Sequence, residues 1–298
     1  MEYFSIYADF LKAYLKPKRP IKVVMDCSNG TVGLVLESLF ADKHWRETVL
    51  LNKNPDGNFP AHGPNPLASG AADELARVVV DSKADLGAIF DADGDRVFFV
   101  DNLGRKLDPA AAAILLAENF KGGIVLPANV GPFVRKELSR RGHETLNSRV
   151  GHYFLKKVMR EKDLDFGAEQ SGHFYFKKFF GLDSGIFAAI ESINSVSGLT
   201  GKLSDWVDTL SSRWISEETN FLVADKKKAI LELQNRYAAA AVEVSDLDGL
   251  SFQFSDWWFN VRPSNTEDLL RLNLEADNQK LFNLRMKEIA DLLSGIKY

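Results

Sequence analysis

The sequence contains one cysteine, Cys27, so no disulfide can form within the chain. A single cysteine fits a protein of the reducing cytoplasm, and we expect that location. Because Cys27 follows a short apolar run, we interpret it as a packing residue rather than a nucleophile.

The sequence also lacks an excess of positive charge and a long hydrophobic run. The formal net charge of −4 argues against nucleic acid or an anionic membrane as a partner. The longest apolar run, AAAAILLA from Ala110, is far shorter than the roughly 20 residues that cross a bilayer. The opening segment carries Glu2 and Asp9 and has no uninterrupted apolar core, so we predict no signal peptide.

Apolar strand patterns alternate with helical patterns along most of the chain. Strands are predicted in IKVVMD, LGAIFD, RVFFVD, GIVLPA and LDFGAE, with amphipathic segments between most of them. This alternation indicates an α/β fold with mainly parallel sheets covered on both faces. The turn CSNGTVG does not fit the dinucleotide pattern G-x-G-x-x-G, so we interpret Gly30 and Gly33 as turn residues.

The pattern changes in the last third of the chain. A long helix is predicted over 226–241, followed by the short strands LSFQF, WWFNVR and LLRLNLEA and a final helix. We therefore predict a connector helix in residues 1–20, α/β domains with mixed, mainly parallel sheets in 21–106 and 107–215, and a small α+β domain in 216–298.

The segment DADGDR follows an apolar strand and concentrates negative charge. The carboxylates of Asp91, Asp93 and Asp95 repel one another unless a cation neutralises them, and carboxylate oxygens suit Mg²⁺ or Ca²⁺. An EF-hand loop needs glycine and glutamate where this sequence has Arg96 and Asn102. We predict a Mg²⁺ site, with a solvated acidic turn as the alternative, and Arg96 would add positive charge for a phosphoryl group.

A second polar loop lies in FGAEQSGHF. In an extended backbone the side chains of Glu169, Ser171 and His173 would project to one side, an arrangement that suits a polyhydroxyl ligand such as a sugar. An ordinary polar turn explains the same residues equally well.

A third polar loop lies in VRPSNTED. Its fork-shaped cation and small donors are typical of a phosphate site; the residues are Arg262, Ser264, Asn265 and Thr266. The alternative is a turn stabilised by its own Ser, Asn and Thr side chains.

The three loops DADGDR, GAEQSGH and RPSNTE, in this order, resemble the metal, sugar and phosphate loops of the α-D-phosphohexomutases. NPDGNFPAHGPNP resembles another recurrent segment of that family, and the likeness is greatest to the bacterial phosphomannomutase/phosphoglucomutase branch. The resemblance covers nearly the whole chain. It implies transfer of phosphate between O1 and O6 of a hexose through a bisphosphorylated intermediate, with a phosphoserine in a first domain as donor.

The resemblance also implies a role for each loop. The three aspartates would bind Mg²⁺, and Arg96 would face the phosphoserine. Glu169 and Ser171 would bind sugar hydroxyls, whereas Arg262 and its loop would hold the phosphate that does not react. Gly151 and His152, in VGH, resemble a sugar-facing turn, and His152 and His173 are candidates for proton transfer.

One departure from the family is large. The sequence has no stretch like T-A-S-H-N-P, which carries the family's serine, so the chain resembles the second to fourth domains only. Smaller departures are Ala92, Asp268 and the absence of a lysine in LPANVG.

The sequence leaves three hypotheses for function. The first is a mutase-type protein that binds hexose phosphate and Mg²⁺ and is catalytic only if a serine-bearing first domain is supplied in trans or was removed. The second is a catalytically inactive sugar-phosphate-binding or regulatory protein derived from a mutase. The third, a self-sufficient phosphatase, ranks last because no serine has an evident activating partner.

Overall fold

The computed structural model describes residues 2–42, 47–210, 213–264 and 267–295. The chain divides into two compact units, which are described separately. The first contains residues 1–124 and 159–210, and the second contains 125–158 and 211–298. No helix within these described ranges is both long and apolar enough to span a membrane.

The first unit contains a four-stranded sheet in the order β2-β1-β3-β4. Its strands are β1 (Val23–Asp26), β2 (Val49–Leu51), β3 (Leu86–Phe90) and β4 (Val97–Asp101). β1 pairs in parallel with β2 and β3, whereas β3 and β4 are antiparallel. Every residue of β1 and β3 is buried, as expected for central strands covered on both faces. The predicted mixed, mainly parallel sheet is confirmed here.

Three helices accompany this sheet: α1 (Glu2–Lys12), α2 (Val32–Leu39) and α3 (Asp73–Ser82). On α3, Leu75 and Val79 pack against Val24, Ile89 and Val100 of the sheet in one apolar cluster. A left-handed residue, Lys83, ends α3 and turns the chain into β3. This core fixes the end of β3, from which the predicted metal loop begins.

The remainder of the first unit combines helices with an antiparallel strand group. The helices are α4 (Pro109–Ala117), α7 (Gly185–Gly198) and α8 (Leu203–Asp208), and the strands are β7 (Phe166–Ala168), β8 (Phe174–Phe176) and β9 (Leu182–Asp183). β7 pairs with β8 and β8 with β9, both antiparallel. As predicted, Asp108 caps α4, accepting a hydrogen bond from the Ala110 amide at 2.7 Å.

The second unit contains an antiparallel sheet, in the order β10-β15-β14-β13-β12, with β11 also paired to β15. Its strands are β10 (Trp214–Ile215), β11 (Thr219–Leu222), β12 (Glu243–Ser245), β13 (Leu250–Gln253), β14 (Trp257–Pro263) and β15 (Leu269–Ala276). The helices α9 (Lys226–Tyr237) and α10 (Gln279–Ser294) pack on an apolar core with this sheet. The predicted α+β character of this region is confirmed.

The second unit also contains all but the first residue of β5 (Ile124–Pro127), together with α5 (Pro132–Arg140), β6 (Thr145–Ser148) and the first part of α6 (His152–Lys162). The boundary between the units therefore falls within β5 and α6, and it does not test the predicted domain boundaries, which stay predictions.

The prediction of helix to residue 241 was wrong at its end, because α9 stops at Tyr237 and a 3₁₀ turn spans Ala238–Ala240.

Candidate functional site

Six residues, 91–96, connect β3 to β4 and form the predicted metal loop. Asp91 follows the buried strand β3 and is 1% exposed. Its Oδ1 accepts hydrogen bonds from the backbone amides of Gly94 (3.0 Å) and Arg96 (3.2 Å), and its Oδ2 accepts one from Arg96 Nε at 2.6 Å. Burial alone would raise the pKa of Asp91, but these hydrogen bonds outweigh burial and lower it. The loop is thus folded around an ionised carboxylate.

The three aspartates predicted as metal ligands converge. One carboxylate oxygen from each of Asp91, Asp93 and Asp95 lies within 4.8 Å of the other two. Burial, and then the neighbouring Asp91, raise the pKa of Asp95 to about 6, as expected where negative charges crowd together. A set of close carboxylate oxygens with one exposed member, Asp93, fits a hard divalent cation that remains accessible to a ligand.

The shape of the loop depends on Gly94. Its φ of +80° favours glycine, and a Cβ there would lie 2.2 Å from Val32 Cγ2. Arg96 Nε lies 3.8 Å from Asp95 Oδ1 in addition to its bond with Asp91. Arg96 is thus held by two carboxylates of the loop, and its orientation toward a phosphoserine stays a prediction.

The predicted sugar loop is a tight turn between β7 and β8 rather than an extended segment. The Glu169 amide donates to the His173 carbonyl at 3.0 Å, and Gly172 adopts a φ of +87°. The three predicted side chains nevertheless converge. Ser171 Oγ and His173 Nδ1 are 2.8 Å apart, and the same nitrogen lies 3.6 Å from Glu169 Oε2.

Sequence reasoning missed Tyr175, a fully buried residue of β8. Its hydroxyl donates to Glu169 Oε2 at 2.7 Å, so it fixes the carboxylate predicted to bind sugar. Burial, followed by the charge of Glu169, raises the pKa of Tyr175, which therefore stays protonated as a donor. Tyr175 continues the alternate spacing of Glu169, Ser171 and His173, and that spacing is the signal that could have identified it.

The metal and sugar loops form one hydrogen-bonded site within the first unit. The Val97 amide donates to the Gly172 carbonyl at 3.1 Å, which joins the backbones of the two loops. Their side chains also meet, since His173 Nε2 lies 3.4 Å from Asp95 Oδ2. Asp183, a second residue missed from the sequence, has an oxygen within 4.8 Å of ligand atoms on both Asp95 and His173.

A cavity of about 470 Å³ adjoins the metal loop. Its lining includes Asp93 and Asp95 together with three aromatic residues of α1, which are Tyr3, Phe4 and Tyr7. The exposed side of the metal loop therefore faces open space.

The other predicted site residues belong to the second unit. Gly151, with a φ of +117°, precedes His152 at the start of α6. The amide of Val150 donates to Asp248 Oδ2 at 2.9 Å, which anchors this VGH turn. A Cβ on Gly249 would lie 2.7 Å from Arg262 Cα, so the loop that anchors the turn also packs against the strand of Arg262.

Arg262 ends in an ion pair with Glu218. Its Nη2 donates to Glu218 Oε2 at 2.8 Å, and Arg271 Nη1 donates to the other oxygen at 3.1 Å. Ser264 is buried, and its Oγ accepts a hydrogen bond from the Glu267 amide at 3.3 Å. Asn265 and Thr266, also predicted to bind phosphate, lie outside the described residues.

Three family models match consecutive parts of the chain. They are phosphoglucomutase/phosphomannomutase alpha/beta/alpha domain II over residues 2–104, alpha/beta/alpha domain III over 108–213, and the C-terminal domain over 218–292.

Curated relatives are similar over almost the whole chain. A phosphomannomutase of Methanocaldococcus jannaschii is 35% identical over 98% of this chain, and one of Escherichia coli K12 is 32% identical over 97%. In each case the matched part is 66% of the relative, so this chain spans slightly less than two thirds of their length.

Solved structures agree on the fold. A phosphoglucomutase/phosphomannomutase family protein from Burkholderia thailandensis is 25% identical, with a TM-score of 0.86 over 98% of this chain and 64% of that one. An Aspergillus fumigatus N-acetylphosphoglucosamine mutase, solved with GlcNAc-6P and magnesium, is 18% identical, with a TM-score of 0.65 over 99% of this chain and 66% of that one.

Proposed function

Because this chain belongs to the phosphoglucomutase/phosphomannomutase family, we propose that it binds a hexose phosphate for phosphoryl transfer between the sugar's O1 and O6. Mannose or glucose phosphate is the expected substrate. The observation that carries this proposal is the joined site of the first unit, in which Asp95 of the metal loop meets His173 of the sugar loop at 3.4 Å. Transfer needs a charge-neutralising centre and a sugar-binding surface at contact distance.

Mg²⁺ is the proposed cofactor. Asp91, Asp93 and Asp95 would hold it, since their oxygens already lie within 4.8 Å of one another. When bound, the ion would neutralise charge on the transferring phosphoryl group. The magnesium in the Aspergillus fumigatus neighbour supports this assignment by analogy of fold alone.

The other residues receive roles from their surroundings. Glu169, held by the Tyr175 hydroxyl, and Ser171 would bind sugar hydroxyls. His173 lies between Ser171 and Asp95 and would move a proton to or from a sugar oxygen. In the second unit, Arg262 and its loop would hold the unreactive phosphate, exchanging the bond to Glu218 for one to the ligand.

The phosphoryl donor would come from outside these 298 residues. The sequence has no T-A-S-H-N-like stretch, and the matched models are those of domains II, III and IV. A phosphoserine donor would supply a bound metal ion with an anionic oxygen ligand. We therefore expect this chain alone to bind Mg²⁺ more weakly than a family member that contains its phosphoserine.

Titration calorimetry tests the proposal. Mannose 1-phosphate or glucose 1-phosphate is titrated into the chain with and without Mg²⁺, Mg²⁺ is titrated into the chain without phosphate, and both series are repeated on Asp93→Asn. We expect the wild-type chain to bind sugar phosphate, with Mg²⁺ binding lost in the variant. No heat from either sugar phosphate would contradict the proposed substrate class, and tight Mg²⁺ binding without phosphate would contradict the proposed source of the donor.

A further inference from the structure

Beneath the metal loop lies a buried carboxylate, Asp26, at the end of β1. It is 0% exposed, so it does not meet a ligand from solvent. Its Oδ1 accepts hydrogen bonds from the Ser28 amide at 2.9 Å and from Asn52 Nδ2 at 3.1 Å. A buried charge is stable only where several donors compensate it, and the partners of Asp26 therefore hold its carboxylate in one position.

The third partner of Asp26 is His62, which the segment NPDGNFPAHGPNPL contributes. His62 Nε2 donates to Asp26 Oδ2 at 3.2 Å, and the ring is 10% exposed. The ring's Nδ1 is buried and has no hydrogen-bond partner within the described parts of the chain. Asp26 is therefore the polar group that orients this imidazole. The segment has no role in the proposed binding of metal, sugar or phosphate.

Asp26 and Asn52 hold a turn of unusual backbone conformation. Ser28 and Asn29 are consecutive non-glycine residues with φ of 51° and 54°, in the left-handed region. The Asn29 amide donates to the Asn52 carbonyl at 2.9 Å, and the Asn29 carbonyl accepts from the Asp56 amide at 2.8 Å. Such a conformation persists only when its surroundings determine it, and here three chain segments do so.

The same turn binds the metal loop on both sides of Asp91. Ser28 Oγ donates to the Phe90 carbonyl at 2.5 Å, and the Thr31 amide donates to the Ala92 carbonyl at 3.1 Å. Gly30 lies so close to Ala92 that a Cβ would be 2.2 Å from its carbonyl oxygen. The backbone around the first metal ligand is therefore attached to the turn that Asp26 holds.

We propose that Asp26 and His62 are a positioning pair that fixes the metal loop through the turn of residues 27–31. The pair acts on the ligands and touches neither metal nor substrate. Without the imidazole, Asp26 loses a donor, the turn loses restraint, and the Asp91 carboxylate is held less firmly against its neighbours. The inference rests on the proposed metal site.

The test compares His62→Ala and His62→Gln with the wild-type chain. The glutamine amide can donate to Asp26 Oδ2 as the imidazole does, so it should restore the contact. His143→Ala, in the second unit, removes a histidine elsewhere and serves as the matched control. Mn²⁺, which electron paramagnetic resonance detects directly, is the probe, with Mg²⁺ as competitor. Hydrogen exchange of the Gly94 and Arg96 amides, which donate to Asp91, measures how firmly the metal loop is held in the absence of metal.

We expect His62→Ala to weaken Mn²⁺ binding about tenfold and to speed exchange of both amides, whereas His62→Gln and His143→Ala stay close to wild type. Unchanged amide exchange and unchanged Mn²⁺ affinity in His62→Ala would overturn the inference. Equal losses in His62→Ala and His62→Gln would also overturn it, because the contact with Asp26 would then be irrelevant. If the wild-type chain binds no Mn²⁺, the proposed metal site fails, and the inference fails with it.

Discussion

Tyr175 and Glu191 are both buried and polar, but Tyr175 supports the proposed sugar site whereas Glu191 affects the stability of the fold. The hydroxyl of Tyr175 donates a hydrogen bond to Glu169, a residue of the proposed sugar site. Glu191 lies in α7, is 3% exposed, and has Asn194 Nδ2 at 3.3 Å from its Oε2. The contact of Tyr175 holds a carboxylate that is proposed to bind sugar. The contact of Glu191 does not fully compensate its burial, so ionisation of Glu191 opposes folding.

Replacing Tyr175 with phenylalanine removes one hydroxyl and keeps the ring. The Glu169 carboxylate then loses a hydrogen bond worth about 1.5–3 kcal/mol for a charged acceptor, part of which water or another donor replaces. We expect hexose phosphate affinity to fall by roughly threefold to tenfold, while Mg²⁺ affinity is unchanged. Calorimetry measures both, and Tyr237→Phe in the second unit is the control. Equal losses of sugar and metal affinity would contradict the assignment.

Burial raises the pKa of Glu191 in the folded state above the value of about 4.3 expected for the unfolded chain. The folded state therefore holds the proton more tightly, and the free energy of unfolding falls as pH rises from the unfolded pKa through the folded one. The side chain of Glu191→Gln stays neutral at every pH. The melting temperature of the variant minus that of the wild type should therefore increase as the pH rises from 4 to 8. Thermal melts of both proteins and of the exposed control Glu74→Gln check this. A difference independent of pH would refute it.

At the scale of elements, the loops proposed to bind metal and sugar are those attached to buried strands. The metal loop follows β3 and the sugar loop follows β7, and a hydrogen bond from the Val97 amide to the Gly172 carbonyl joins the two. A loop in this position has its ends fixed by the core, while its interior depends on local turn geometry. For the metal loop, that geometry rests on Gly94.

Gly94→Ala should deform the metal loop. A left-handed alanine costs about 1–2 kcal/mol, and its Cβ would overlap Val32 Cγ2, which lies 2.2 Å away. We expect a lower melting temperature and a loss of Mn²⁺ affinity of about tenfold or more. Gly57→Ala is the matched control, because a Cβ there meets no atom within 4 Å. Normal metal affinity in Gly94→Ala would exclude the proposed role of the turn.

The sequence predicted elements whose signals are local. The buried runs of β1 and β3 and the Asp108-Pro109 helix start are examples, because each depends on neighbouring residues. Strands such as β2, β9 and β10 were missed, since they contain three residues or fewer and form by pairing with distant segments.

In the candidate site too, sequence spacing identifies residues that are close in the chain but not contacts between distant segments. Asp91, Asp93 and Asp95 could be grouped from spacing alone, and their oxygens do converge. Asp183 and the pair of Asp26 and His62 could not, because the contacts join residues far apart in the sequence. Only packing of the whole first unit brings such residues to one place.

At the scale of the whole molecule, the chain contains the loops proposed to bind metal, sugar and phosphate, and the proposed phosphoryl donor would be supplied from outside it. It matches the models of domains II, III and the C-terminal domain, and it spans 66% of its curated phosphomannomutase relatives. Binding and turnover should therefore separate in this chain. An inactive sugar-phosphate-binding protein would share the binding, so turnover with an added donor domain distinguishes the two.

The most direct measurement is a coupled mutase assay of this chain alone. It supplies mannose 1-phosphate or glucose 1-phosphate, Mg²⁺ and a hexose bisphosphate activator, with Asp93→Ala as the background. We predict no turnover above that background, while calorimetry on the same sample detects bound sugar phosphate. Turnover by the wild-type chain above Asp93→Ala would contradict the proposed external donor, because a nucleophile within these 298 residues would then accept and transfer the phosphoryl group.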